Sequence, residues 1–210
     1  MITKEEFEEY CRNNDLRYRF KNKYYLENNL KINWNITDLF IVLCCYGYIE
    51  TLKWLIEITK KNNETINIHK ENEEAFRWSC ECGQIEVVKW LFEISKENGE
   101  IINIHANDEY AFRWSCYNGC LEIAKWLIKI SKKNNEIINI HANDEFTFRE
   151  SCIIGNIEVA KWLCDLCDEY YVEIENNRIV KYRITNVYDK YLEENKGIRK
   201  VIKKLQLKVI

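Results

Sequence analysis

The chain has 210 residues, of which 47% are hydrophobic, a proportion that supports a large core and argues against wholesale disorder. Its 31 basic and 34 acidic side chains nearly balance, which argues against a globally basic nucleic-acid binder but leaves a local basic patch open. No run of about eighteen apolar residues occurs, and the acidic start MITKEEFEEYC lacks an apolar stretch, so we expect neither a transmembrane helix nor a secretory signal.

The first 32 residues are predicted to form a degenerate N-terminal helical cap, residues 1–32. Thr3 and Glu6 have the spacing of a capping box at the start of one helix, and LRYRFKNKYYL is predicted as a second helix. The second segment mixes basic and aromatic residues as nucleic-acid platforms do. Because it is short, a place in the cap is the favoured interpretation.

One pattern recurs every 36 residues over residues 33–168. The pattern repeats a Lys-Trp pair, a glycine and a cysteine: Lys53-Trp54, Lys89-Trp90, Lys125-Trp126 and Lys161-Trp162; Gly47, Gly83, Gly119 and Gly155; Cys44, Cys80, Cys116 and Cys152. A fixed period of this length indicates stacked supersecondary units, each unable to bury its apolar face alone. We place the units at residues 33–68, 69–104, 105–140 and 141–168.

Each unit is predicted to be a helix, a tight glycine turn, a second helix and a return loop. In residues 105–140, Asp108 is placed to cap the first helix, and Gly119 can adopt the positive φ that ends it. The buried stripe of the first helix is Phe112, Ser115 and Cys116. The apolar face of the second helix is Leu121, Ala124, Leu127 and Ile128. The repeated tryptophans are predicted to fill gaps between outer helices. The sequence therefore predicts an all-α solenoid of stacked helix-turn-helix repeats.

The repeat has a family resemblance. YNGCLEIAKWLIKI, ECGQIEVVKWLFEI and IIGNIEVAKWLCDL resemble the second half of the ankyrin repeat, NGHLEVVKLLL, and DEYAFRWSC stands where that repeat has TPLHLAA. The whole pattern is similar to the ankyrin arrays of giant DNA viruses of amoebae. Compared with the usual ankyrin unit, the finger before the first helix is shorter here. The resemblance implies a non-catalytic scaffold, whose partner protein binds the concave face made by finger tips and first helices.

One departure from the ankyrin pattern concerns the contact between repeats. Arg77, Arg113 and Arg149 replace the histidine that makes an inter-repeat hydrogen bond in ankyrin repeats. Glu73, Glu109 and Glu145 each lie four residues before one of these arginines, the favoured order for an ion pair on a helix. We therefore predict Glu–Arg pairs as the substitute.

Residues 169–210 are predicted to form a β-hairpin and a basic C-terminal helical cap. YYVEIENNRIVKYRI alternates on either side of Asn176-Asn177, which is a hairpin signal. Farther on, IRKVIKKL has one apolar face, which is favoured to cap the last repeat. The basic residues after Glu194 are Lys196, Arg199, Lys200, Lys203, Lys204 and Lys208. Membrane-surface, acidic-partner or nucleic-acid contact through this tail is the alternative.

No cofactor or metal is expected. His69, His105 and His141 keep the repeat spacing, and equivalent positions in packed helices lie about 8–10 Å apart, too far to share one ion. We interpret these histidines as turn residues that bond local backbone.

The ten cysteines, without a signal peptide, suggest unpaired thiols in a reducing compartment. The repeated cysteines are expected to be small buried residues. The pairs Cys80–Cys82 and Cys164–Cys167 lack a second pair at a zinc spacing, so they do not predict a zinc site.

The partner-binding surface is predicted from positions that differ between copies while their neighbours repeat, because stacking does not dictate such positions. Tyr and Trp are also the residue types that most often anchor interfaces. The predicted contact surface is Glu81, Tyr110, Trp114, Tyr117, Asn118, Phe146, Ile153 and Ile154.

Three function classes follow from the sequence. The leading class is a non-catalytic protein–protein interaction scaffold, such as a viral adaptor that engages a host protein inside the host cytoplasm. The second is membrane or nucleic-acid association through the basic tail, and the third is a structural virion component. No nucleotide-binding, serine-hydrolase or zinc-protease motif is present, and all three histidines belong to the repeat, so we expect neither catalysis nor a small-molecule substrate.

Overall fold

The computed structural model describes residues 36–185, which contain eight helices and two strands. The elements are α1 (Ile36–Tyr46), α2 (Ile49–Lys61), α3 (Lys70–Glu81), α4 (Ile85–Glu97), α5 (Ala106–Tyr117), α6 (Leu121–Lys133), α7 (Ala142–Ile153), α8 (Ile157–Leu166), β1 (Tyr170–Glu175) and β2 (Arg178–Ile184). The chain divides into two compact units, Met1–Asn139 and Ile140–Ile210, which are described separately below. Every helix in the described range is too short or too polar to cross a bilayer.

The first unit contains three helix pairs, α1–α2, α3–α4 and α5–α6. The first helices pack side by side, α1 on α3 and α3 on α5, and each packs on the second helix of its own pair. Each first helix buries one phenylalanine completely, at positions 36 residues apart: Phe40, Phe76 and Phe112. The sequence period thus places equivalent side chains at equivalent points of a stacked core, as predicted.

Tryptophans of the second helices fill the space between successive pairs in the first unit. The Trp90 ring centroid lies 6.2 Å from that of Phe40 in the preceding pair. Trp126 lies 6.4 Å from Phe76 and 5.4 Å from Phe92, the latter edge to face. Such offset aromatic contacts are favourable, so these rings stabilise the stack, as predicted.

Glycine ends each first helix. Gly119 has φ 73°, and beyond it the Cys120 N–H donates to the Ser115 carbonyl at 2.7 Å, which satisfies an end carbonyl of α5. Gly47 has φ 76° for the same reason, and a Cβ there would also collide with the Gln84 side chain. The predicted glycine turn is confirmed.

The buried face of α6 is rotated relative to the prediction. Ala124 and Leu127 are fully buried, but Leu121 and Ile128 are only half-buried. Ile123 is buried in addition. The reason is that α6 packs against both α5 and α4, which shifts its buried stripe toward Ile123 and away from Leu121.

The start of α5 differs from the predicted capped helix. Asp108 is not an N-cap; it lies with Asn107 and Glu109 in a left-handed turn, with φ between 54° and 60°. Asn and Asp tolerate this region better than most residues. Arg113 Nε donates to the Asp108 carbonyl at 2.7 Å and Nη2 to the Asn107 carbonyl at 3.2 Å. The same left-handed turn starts α3 and α7.

The left-handed turn points a buried glutamate at the next repeat. Glu109 accepts a hydrogen bond from His105 Nδ1 at 2.9 Å and another from the Asn139 N–H at 3.0 Å. Glu73 accepts the equivalent hydrogen bonds from His69 Nδ1 and from the Asn103 N–H. A carboxylate therefore ties the start of one first helix to the segment that leads into the next.

Two predictions about this turn are wrong. Arg77 does not pair with Glu73; its guanidinium donates to the Asn72 and Glu71 carbonyls, because the left-handed turn brings those carbonyls within reach. The His69 ring does not bond local backbone; it contacts the Glu73 carboxylate, and its Nε2 lies 3.2 Å from Glu100.

The second unit contains α7, α8 and an antiparallel hairpin of β1 and β2. Asn176 and Asn177 adopt φ 48° and 57°, the positive values that a tight two-residue turn requires, so the hairpin prediction is confirmed. Tyr170 lies parallel to Phe148 at 4.2 Å between centroids, and its hydroxyl donates to Glu145 Oε2. The hairpin thus packs against Phe148 and Glu145 of α7 in the same unit.

Several predictions concern residues outside the described range. The N-terminal cap at residues 1–32 and the basic tail from Lys196 to Lys208 both lie there. They stay predictions, as do the boundaries of the individual repeats and of the 169–210 segment.

Candidate functional site

The sides of α1, α3 and α5 that face away from the buried phenylalanines form one surface rich in aromatic residues. We call this surface the inner face. Its members are Val42, Cys45 and Tyr46 from α1, Trp78, Glu81 and Cys82 at the end of α3, and Tyr110, Trp114, Tyr117 and Asn118 from α5. All ten are half-buried or exposed, on the helix side away from the buried phenylalanines. Positions three and four apart share a helix side, which is why these residues align.

A pocket of about 300 Å³ opens on the inner face. Its lining consists of Val42, Cys45, Tyr46, Trp78, Glu81, Cys82 and Tyr110. Three aromatic side chains therefore surround a pocket that contains one carboxylate. Apolar walls with a single placed polar group are typical of sites that hold a side chain or small ligand.

On α5 the aromatic side chains form a continuous cluster. The Tyr110 and Trp114 rings lie 5.6 Å apart and the Trp114 and Tyr117 rings 5.1 Å apart. The Arg77 guanidinium carbon lies 4.7 Å above the Tyr110 ring, within the range of a cation–π contact. These contacts orient large aromatic surfaces that remain partly open to solvent.

Tyr110 connects the α5 cluster to the pocket on α3. Its hydroxyl donates to Glu81 Oε2 at 2.6 Å. Partial burial raises the pKa of Tyr110, and the adjacent Glu81 carboxylate raises it further, against a smaller opposing effect of Arg77. Tyr110 therefore remains a protonated donor that fixes Glu81 at the pocket wall.

The two successive contacts between first-helix ends use different chemistry. Asn118 Nδ2 donates to the Glu81 carbonyl at 3.0 Å between α5 and α3. One repeat earlier, the equivalent positions are Cys45 and Cys82, which form a disulfide. The expectation that the cysteines are all unpaired is therefore wrong for this pair, because helix stacking brings variable positions of two successive repeats together.

The remaining repeated cysteines behave as predicted. Cys44, Cys80 and Cys116 are completely buried, and burial raises their thiol pKa well above the usual value. Burial also raises the pKa of Cys152 to about 12. Such thiols are poor nucleophiles and serve as small core residues.

Five of the eight predicted contact residues lie together on the inner face: Glu81, Tyr110, Trp114, Tyr117 and Asn118. The other three belong to the second unit, where Ile153 and Ile154 are exposed and Phe146 is half-buried. The sequence prediction missed the other five members of the inner face: Val42, Cys45 and Tyr46 of the first repeat, and Trp78 and Cys82 of the second. Val42, Cys45 and Tyr46 precede Trp78, Glu81 and Cys82 by 36 residues each, and this spacing is the signal that finds them.

A larger pocket, of about 430 Å³, lies between the second helices α2 and α4. Its lining includes Lys53, Glu57, Lys60, Trp90 and Glu97. Its aromatic member, Trp90, already packs on Phe40. The groove has one aromatic side chain in its lining, whereas the pocket on the inner face has three, so the groove is a weaker candidate for recognition despite its volume.

No group of three or more His, Cys, Asp or Glu side chains is placed to hold a metal ion within residues 36–185. In the first unit each histidine ring lies between two carboxylates that contact its opposite nitrogens, in the case of His105 Glu109 at Nδ1 and Glu136 at Nε2. The two carboxylates therefore do not converge on one point.

Comparisons with known proteins bear on the fold. No protein-family model matches the chain, and no curated protein matches it by sequence. A crystal structure of an ankyrin repeat family protein from Legionella pneumophila matches with a TM-score of 0.53 and 23% identity. The match covers 71% of this chain and 42% of that protein.

The chain has the ankyrin repeat fold. The predicted architecture of stacked helix pairs with a C-terminal hairpin is confirmed. At this level of identity the likeness concerns the fold alone. In ankyrin repeat terms, α1, α3 and α5 are the inner helices of the first unit, and the aromatic surface lies on them.

Proposed function

We propose that this ankyrin repeat chain is a non-catalytic scaffold that binds a partner protein through the inner face. The observation that carries the proposal is the row of partly exposed aromatic side chains on α3 and α5: Trp78, Tyr110, Trp114 and Tyr117. Other aromatic side chains fill the core, since Phe76 and Phe112 are completely buried and Trp126 packs on Phe76.

The chemistry of the inner face suits protein recognition. Trp and Tyr combine a large apolar area with a polar atom, and they dominate the binding energy of many interfaces. The pocket beside Trp78 and Glu81 is large enough to receive a partner side chain, and Glu81 offers an acceptor at its wall. Tyr110 holds that acceptor in place before a partner arrives, which lowers the entropic cost of binding.

The sequence resemblance to viral ankyrin arrays supports a more specific proposal. In it, the chain is a viral adaptor that engages a host protein in the host cytoplasm. A host partner is then the first candidate to seek, in extract of amoebae.

The test compares capture by two matched double variants of the full chain. Trp114→Ala with Tyr117→Ala removes two of the three rings of the α5 cluster. Glu57→Ala with Glu97→Ala alters the α2–α4 groove instead. After affinity purification and mass spectrometry, the inner-face variant is expected to lose the partner, with affinity weakened at least about tenfold in calorimetry. The groove variant is expected to retain it.

Circular dichroism checks that both variants melt as the parent chain does. Equal capture by the inner-face variant, or selective loss by the groove variant, would contradict the proposal.

A further inference from the structure

We propose that Cys45 and Cys82 are a reversible thiol–disulfide couple that fastens α1 to α3 and thereby regulates the inner-face pocket. The inference rests on the proposed function of that face. Its chemical partner is a small-molecule disulfide of the glutathione class.

The backbone geometry suits a disulfide between these two residues. Their Cα atoms lie 5.5 Å apart, in the middle of the range that a disulfide requires. They are 37 residues apart in sequence, and they meet because α1 and α3 stack side by side. The bond therefore joins two successive repeats.

The array does not need sulfur at this position in order to stack. At the next interface the equivalent residues are Glu81 and Asn118, joined by an ordinary hydrogen bond. Without the disulfide, packing and the ion pair of Lys70 with Asp38 still hold α1 against α3. Both redox states are therefore compatible with the fold.

The two residues differ from the repeated core cysteines in accessibility. Cys82 is exposed and Cys45 is half-buried, whereas Cys44 and Cys80, the neighbouring cysteines in sequence, are completely buried. Thiol–disulfide exchange requires access to the attacking and the attacked sulfur. The exposed pair meets that condition, and the buried row does not.

The exchange proceeds in two steps. The Cys82 thiolate attacks one sulfur of the small disulfide, which forms a mixed disulfide and releases one small thiolate. The Cys45 thiolate then attacks Cys82 Sγ, which forms the Cys45–Cys82 bond and releases the second small thiolate. In total, two protein thiols give up two electrons and two protons, and the small disulfide becomes two thiols; excess small thiol reverses the reaction.

Oxidation acts on the pocket directly, because both cysteines line it. Val42 and Tyr46 on α1 and Trp78 on α3 form walls of this pocket. The disulfide fixes the distance between the two helices that carry them. A pocket fixed in advance binds with a smaller loss of conformational entropy. The oxidised chain is therefore the tighter binder.

The test begins without any partner. The full chain is equilibrated in buffers of varied reduced-to-oxidised glutathione ratio, alkylated, and analysed by peptide mass spectrometry. We expect one two-electron transition that yields the Cys45–Cys82 disulfide, while Cys44, Cys80 and Cys116 remain alkylatable after unfolding. Hydrogen exchange in α1 is expected to slow by about tenfold or more on oxidation.

Two variants test whether Cys45 and Cys82 are the residues that exchange with glutathione. Cys45→Ser is expected to trap the glutathione mixed disulfide on Cys82, and Cys120→Ser, which alters a half-buried cysteine elsewhere, is expected to change nothing. The couple is refuted if Cys45 and Cys82 stay reduced throughout the titration, if only the mixed adduct forms in the parent chain, or if α1 exchange is unaffected. Once a partner is identified, equal affinity of both redox states refutes the regulation alone, whereas loss of the inner-face interaction itself refutes the proposed function.

Discussion

Replacement of Phe76 with alanine is expected to lower the free energy of unfolding by about 3–5 kcal/mol. Phe76 is completely buried, and its ring meets Trp126 of the following helix pair at 6.4 Å. The change removes a large apolar side chain and leaves a cavity that rigid neighbouring helices cannot fill by collapse. Chemical denaturation monitored by circular dichroism measures the loss.

Ile101→Ala is the control, because it also removes an apolar side chain but one that lies outside the core. Ile101 belongs to the same unit, but 67% of it is exposed, so its loss should cost less than about 0.5 kcal/mol. Similar destabilisation by both substitutions would show that Phe76 is not part of a stacked core.

The second large effect is expected from Glu109→Ala, at about 2–4 kcal/mol. The carboxylate of Glu109 is buried and accepts hydrogen bonds from both His105 Nδ1 and the Asn139 N–H. Its removal leaves both donors without this acceptor inside the protein and cuts a link between successive repeats. Equilibrium unfolding of the parent and variant chains measures the difference.

Glu136→Ala is the matched control, because Glu136 contacts the other nitrogen of the same His105 ring at 3.2 Å but is half-exposed. Exposed ion pairs contribute about 0–1 kcal/mol, so this control should change stability little. Equal effects from the two glutamates would argue against the buried carboxylate as the inter-repeat link.

The repeating elements of the fold could be predicted because their signals are local and occur in every copy. Gly119 marks a helix end through its conformational freedom, and Phe112 marks the buried side through its spacing. Asn176-Asn177 likewise marks a hairpin without any knowledge of the rest of the chain. Each signal depends on a few neighbouring residues, and the fixed period turns those local signals into a stacked array.

The left-handed turn could not be predicted by the same reasoning. Asp108 and Glu109 favour the first turn of a right-handed helix, and nothing local distinguishes that case from the left-handed one. The decisive contacts are made by Arg113, which binds the turn carbonyls, and by Asn139, which lies thirty residues away from Glu109. Tertiary contacts therefore override the local preference.

The candidate site was only partly predictable for a related reason. Variation between copies identified Tyr117 and Asn118, because it shows where stacking imposes no residue. It gave no indication that Cys45 and Cys82 would meet, since their contact follows from the stacking of α1 on α3. The role of Tyr170 was also missed, because its hydrogen bond to Glu145 exists only where a hairpin replaces a further repeat in that position.

Each repeat contains one set of residues that stabilises the stack and another set that forms the inner face. Glu73, Glu109 and the buried phenylalanines recur with little change and stabilise the stack. The residues on the outward side of the same helices change from repeat to repeat, from Cys45 to Glu81 to Tyr117 along one row. A shared scaffold with a variable surface is the arrangement expected of a recognition module.

Site-specific photo-crosslinking can show whether a partner protein binds the inner face. Benzoylphenylalanine is placed at Tyr117 on the inner face or, as a control, at the exposed Lys129 on α6, and each chain is irradiated with the protein identified by affinity capture. If the inner face binds the partner, that protein is crosslinked from Tyr117 and not from Lys129. Crosslinking of that protein from Lys129 alone, or no protein crosslinked from Tyr117, would contradict binding through the inner face.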